Sequence, residues 1–137
     1  MAIYFKETES SVSRSRSGLG KNSTAVQNGD FVTIAGNVVA AATGADVLAG
    51  FSNGTKTMTA TNQTVAKEQI SYTVADESQA VRVDISGGTV TAADVNKFFG
   101  LADARTVNGA SVSATAGALK LVNFVSATLG DFVFAGK

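Results

Sequence analysis

Cysteine, histidine, proline and tryptophan are all absent from these 137 residues. Without cysteine there is no disulfide, no thiolate nucleophile and no cysteine-ligated zinc. Without histidine there is no Ser–His–Asp or Cys–His arrangement, no imidazole metal ligand and no general base that titrates near neutral pH. Charge is scarce too: 16% of residues, with eleven cations against eleven acids. Bulk attraction to nucleic acid or to an anionic membrane is therefore not expected. No apolar run approaches the roughly 20 residues that span a bilayer. The start Met1-Ala2-Ile3-Tyr4-Phe5 is apolar for five residues only and has no basic segment before it, so no secretory leader is expected.

What is present is a chain with 45% apolar residues and eight phenylalanines, long enough to bury one self-sufficient core. Its composition changes near residue 30. Lys6 to Gly29 holds only four apolar side chains, Val12, Leu19, Ala25 and Val26, among serines, glycines and cations. So little apolar surface cannot offset the entropy of ordering, which predicts an extended N-terminal arm over residues 1–29 and a β-rich body over residues 30–137. The arm carries a net charge of +2 and the body −2.

Within the body, Asp30–Ala35 and Val38–Ala42 read as strands joined by Gly36-Asn37, residues that tolerate the positive φ of a tight hairpin. Ser52-Asn53-Gly54-Thr55 is a second turn, and the threonine-rich stretch from Lys56 to Thr64 reads as a polar edge strand or loop. Ile70, Tyr72 and Val74 alternate with polar residues, as do Val81, Val83 and Ile85, the period-two pattern of half-buried strands. A short helix is expected after Thr91, with Asp94 near its free amides, Val95, Phe98 and Phe99 on one face, and Gly100 ending it. Leu119–Ser126 is an apolar strand, Leu129-Gly130-Asp131 a turn, and Phe132-Val133-Phe134 a closing strand. The fold class is mainly β: a small β-barrel or sandwich with one short helix and the arm.

Chemistry is thin. Asp76-Glu77 is the adjacent acid pair and falls in a turn, and helix-start electrostatics accounts for Asp94. No calcium loop appears. Gly18-Leu19-Gly20-Lys21 fails as a phosphate loop, because Ser15 stands where the first glycine belongs and Asn22 where the hydroxyl residue belongs. Neither a catalytic site, a metal nor a cofactor is expected, and the chain is read as no enzyme. Ser13-Arg14-Ser15-Arg16-Ser17 has two readings: a pair of guanidiniums that clamp a partner's carboxylates or phosphates, or a solvated tail. Ile3-Tyr4-Phe5 could lie in a neighbour's groove, add to an open sheet edge, or close the chain's own barrel. Asn22-Ser23-Thr24, Asn53-Gly54-Thr55 and Asn62-Gln63-Thr64 match the glycosylation pattern and are taken as chance matches.

The stretches Gly29-Asp30-Phe31-Val32, Gly50-Phe51-Ser52-Asn53-Gly54-Thr55, Gly88-Thr89-Val90-Thr91-Ala92-Ala93-Asp94-Val95-Asn96-Lys97 and Leu119-Lys120-Leu121-Val122-Asn123-Phe124 together resemble the capsid decoration (cement) proteins of tailed bacteriophages. The similarity spans most of residues 29–134. Asn96 stands where that family usually carries glycine, and the arm has no matching motif. The resemblance implies a virion structural protein on the outer capsid surface, made in the host bacterial cytoplasm. Its partner would be the major capsid protein, with no nucleic acid and no membrane, and it would form a homo-oligomer, a trimer in preference to a dimer. It would bridge neighbouring subunits, with Ile3, Tyr4 and Phe5 as anchor and with Arg14, Arg16 and Lys21 facing capsid acids. The alternatives are another virion part, in the tail or connector, a host-glycan-binding surface module, or a carboxylate-based hydrolase.

Overall fold

The computed structural model describes residues 4–6 (backbone only), 14–44, 46–76 and 79–135. In chain order its strands are β1 (Tyr4–Lys6), β2 (Ser15–Leu19), β3 (Ala25–Val26), β4 (Phe31–Ala35), β5 (Val38–Ala41), β6 (Gly50–Ser52), β7 (Lys56–Thr57), β8 (Gln69–Val74), β9 (Ala80–Ser86), β10 (Phe98–Phe99), β11 (Val107–Asn108), β12 (Leu119–Ser126) and β13 (Leu129–Phe134). Two sheets dominate. One runs β1-β9-β13-β12-β10 with β11 also on β9; the other runs β2-β8-β6-β4-β5. The fold is mainly β, as expected.

Each sheet nearly closes on itself. In the larger one, β11 lies parallel to β9, and Leu101, just past β10, bridges to Val107 in β11. In the smaller one, β2 and β5 are the outer strands, and they meet where Gly20 pairs with Val39. Two narrow rings result, each filled by its inward side chains. Alternation supplies those residues: Val81, Val83 and Ile85 from β9, Leu119 and Leu121 from β12, and Phe132 and Phe134 from β13 are all buried in the larger core. Val26, Val32, Val39, Met58, Ile70 and Tyr72 fill the smaller one.

The wall between them explains why Phe31 and Val32, adjacent in sequence, are both fully buried. Phe31 packs into the larger core, edge-on to Phe134 at 5.9 Å between ring centroids, and Val32 into the smaller. Phe51 pairs with Phe31 across β6 and β4 and joins the same larger core. A strand covered on both faces has no polar face to keep. Phe31 N–H donates to Ala104 O at 2.7 Å and Leu101 N–H to Gly44 O at 2.7 Å, tying the rings together.

The boundary expected at residue 29 is corrected. Ser15–Leu19 pairs along β8, Ala25–Val26 pairs with β7, and Val26 is buried at 1% exposure in the smaller core. Composition hid this because β2 contributes backbone and space rather than apolar side chains. A Cβ on Gly18 would come within 2.5 Å of Val39 Cγ2, and one on Gly20 within 2.7 Å of Met58 Cγ. The glycines that resembled a phosphate loop are what lets β2 seal the ring. Residues Tyr4–Lys6, also assigned to the arm, pair antiparallel with β9 from Ala80 to Arg82.

The remaining local expectations divide. Gly36 and Asn37 adopt φ of 60° and 65° and turn β4 into β5 as read from sequence. The short helix contracts to one 3₁₀ turn, Ala92–Asp94, with Thr91 and Asp94 capping it reciprocally. Phe98 and Phe99 do not share its face; they form β10, paired with Lys120 and Leu119. Asn96, with φ of 74°, carries the chain out of the turn in the left-handed region that asparagine tolerates better than most residues. Leu129-Gly130-Asp131 is the start of β13 rather than a turn, and the reversal lies at Ala127-Thr128. Lys56–Thr64 holds the two residues of β7 and the start of a π-helical turn, Asn62–Ala66.

Candidate attachment surface

Three carboxylates, Asp30, Asp94 and Asp131, are spent on structure. Asp30 is 4% exposed at its side chain; its Oδ1 accepts from Arg105 Nε at 2.6 Å and its Oδ2 from Gln27 N–H at 2.8 Å. Asp131 is fully buried; Arg82 Nε donates to its Oδ1 at 2.8 Å and Asn123 Nδ2 to its Oδ2 at 3.0 Å. Both carboxylates are paired and hydrogen-bonded, the condition for keeping a charge out of water. Asp94 is held below the ordinary carboxylate range, chiefly by the Thr91 backbone N–H at 2.9 Å and, more weakly, by Lys97. That is the physics of a cap. Among the described residues no group of three or more acidic side chains is placed to hold a metal ion. Asp76 is described and Glu77 lies outside the described residues.

The glycosylation-like asparagines are also structural. Asn62 is fully buried; its Nδ2 donates to Gly20 O at 2.8 Å and to Glu68 O at 3.1 Å, and its Oδ1 accepts from Glu68 N–H at 3.0 Å. Asn22 N–H donates to Gln63 Oε1 at 3.0 Å, while Gln63 N–H donates to Asn22 Oδ1 at 2.7 Å. These two latches pin the chain just after β2 to the loop before β8, and they reinforce the corrected boundary.

Of the six residues expected to make an attachment surface, Ile3 lies outside the described residues. Tyr4 and Phe5 are described by backbone only, opposite Arg82 and Val81 on β9. Arg14, Arg16 and Lys21 are exposed along β2 and its ends. Strand alternation puts Arg14 and Arg16 on one face, about 7 Å apart. That face is shared with Tyr72, which the register sets opposite Arg16. The structure thus brings the two arginines together, places Lys21 past the far end of the same strand, and leaves Tyr4 and Phe5 on the other sheet.

The chain's four arginines form two classes. Arg82 and Arg105 are committed to buried aspartates. Arg14 and Arg16 have no carboxylate or hydrogen-bond partner for their guanidiniums among the described residues, and both are exposed.

The opposite face of β2 carries a feature that sequence reading missed. Ser15 and Ser17 stand opposite Thr73 and Ser71, and Asn53 Nδ2 donates to both Ser15 Oγ and Ser71 Oγ at 3.4 Å. Ser17, Ser71, Asn53, Lys56 and Gln69 line a concave groove of about 340 Å³. Its signal in the sequence was only a scatter of small polar residues, which looks the same as a solvated loop until the register aligns them. A scan against protein-family models found no match to this chain, and a search of curated proteins found none.

Proposed function

We propose that this chain is a non-enzymatic virion structural protein, a phage capsid decoration protein that binds the outer capsid surface and bridges neighbouring major capsid protein subunits. The observation that carries the reading is the pair of exposed guanidiniums at Arg14 and Arg16, set beside two arginines that pair with buried aspartates of the body. A folded protein with so few charges keeps such groups free where an external anion can meet them, and planar, bidentate arginine suits carboxylates on a protein surface. The resemblance over most of residues 29–134 supplies the identity of that surface. The tethering role assigned to residues 1–29 does not extend to Ser15–Leu19, which belong to the smaller ring, or to Tyr4–Lys6, which pair with β9. A homo-oligomer, a trimer before a dimer, is the assembly the resemblance implies, and sedimentation velocity reads it directly.

Co-sedimentation with expanded, undecorated capsids tests the proposal. Stoichiometric binding at micromolar protein is expected, and Arg14→Glu/Arg16→Glu weakens it at least about tenfold, because each guanidinium is replaced by a repelling charge. No binding of the wild-type chain at micromolar concentration overturns it.

A further inference from the structure

The flanking hydrogen bonds of β2 show which way its backbone points. Val74 N–H donates to Arg14 O at 2.7 Å, and Gly20 N–H donates to Glu68 O at 3.0 Å. Both lie at the ends of the β2–β8 ladder, which runs from Ser15 opposite Thr73 to Leu19 opposite Gln69. In an antiparallel ladder the hydrogen-bonded residues alternate. Even-numbered residues of β2 therefore aim their main-chain groups at β8. Ser15 and Ser17 aim theirs the other way, at the rim of the sheet. β5 does not pair with Ser15 or Ser17: the bridge between the two outer strands joins Gly20 to Val39, and the neighbouring Lys21 donates its N–H to Val39 O at 2.9 Å. Among the described residues, the main-chain groups of Ser15 and Ser17 have no partner on that edge, and Arg14, Ser15, Arg16 and Ser17 are all exposed.

We infer that the Arg14–Ser17 edge of β2 accepts an extended strand from a partner protein, one with acidic residues at alternate positions. The edge supplies unpaired N–H and C=O groups that a strand would complete, the usual basis of strand addition. Charge selects the strand. Arg14 and Arg16 project on one face, two residues apart, so carboxylates two residues apart on an added strand fall opposite both. Residues between them meet Ser15 and Ser17 on the face of the hydroxyl groove, where small polar side chains fit. The same charges oppose the pairing of β2 with β2 of a second copy, which would bring four arginines together. The inference rests on the function proposed above and specifies the contact it would use.

The test uses the full chain and a ten-residue, end-capped peptide of alternating aspartate and threonine, against a control with the same composition in two blocks. Fluorescence anisotropy reads affinity and amide exchange reads the edge. The alternating peptide should bind at least about tenfold more tightly than the blocked one, at low salt, and slow exchange at Ser15 and Ser17. Ser17→Pro removes an edge N–H that the β8 ladder does not use and should abolish binding, while Ser17→Ala retains it. If Ser17→Pro does not fold, the exchange readout on the wild type decides. Equal binding of both peptides, or binding without protection at Ser15 and Ser17, overturns strand addition. Capsids that still sediment with Ser17→Pro but lose Arg14→Glu/Arg16→Glu also overturn it while leaving the capsid reading in place.

Discussion

The two rings of this molecule solve the same closure problem in different ways. The larger is filled by aromatic and branched side chains, with Phe99 and Phe132 edge-on at 5.9 Å, and its walls come from long alternating strands. The smaller has a short core and is closed by absence: Gly18 and Gly20 let β2 approach Val39 and Met58, and the buried amide of Asn62 holds the seam. The larger ring is built by burial, and the smaller by close approach and hydrogen bonding. The contrast has a functional side. The larger ring pairs its arginine with a buried acid, and the smaller leaves its arginines exposed on the strand that closes it.

Removing residues 1–20 is the harshest way to break that comparison. It deletes β1 and β2, so the smaller ring should not close and β9 loses its neighbour over Ala80–Arg82; exchange protection along β8 should collapse while amides of β12 and β13 stay protected. Loss of protection in both rings alike would show a single cooperative unit with no division of labour. Phe132→Ala comes next. Its side chain is fully buried, and truncation should cost about 4 kcal/mol, read as a lower midpoint in urea denaturation. A second transition appearing in that variant would separate the rings energetically. Asn62→Ala should cost about 3 kcal/mol by stranding the Gly20 carbonyl and the Glu68 N–H, a loss made entirely of hydrogen bonds where that of Phe132 is entirely packing.

The smallest effect lies at the 3₁₀ turn. The Asp94 carboxyl is lowered in the folded chain, so the stability it contributes is complete above its unfolded value and is lost as pH falls through the lower folded one. Asp94→Asn should therefore reduce stability by about 1 kcal/mol at neutral pH. It should also flatten the decline below about pH 4, measured as melting temperature against pH.

Much of the larger ring was legible in the chain. Val81, Val83 and Ile85 alternate cleanly because one face of β9 meets a core and the other does not. In the smaller ring, Gly36-Asn37 announced the β4–β5 hairpin because few residues accept positive φ at both positions. The smaller ring was legible only in part. Ile70 and Tyr72 gave β8, but Ser-Arg-Ser-Gly-Leu has no apolar period, and β2 owes its place to neighbours distant in sequence. Phe98 and Phe99 misled for the opposite reason: their spacing from Val95 suits a helix, yet pairing with Lys120 and Leu119 outweighs a weak local preference.

The candidate surface divides along the same line. The amino-acid sequence by itself determined that histidine and thiol chemistry are excluded, that the class is β, and that Arg14 and Arg16 sit two residues apart. Those follow from residue identity and local spacing. Only the tertiary structure decided which arginines are consumed and which remain, and that β2 is an edge strand rather than a tail. Partners in an ion pair or a ladder are chosen by contacts across the chain, as Arg105 finds Asp30 across 75 residues, and such contacts leave no mark on local composition.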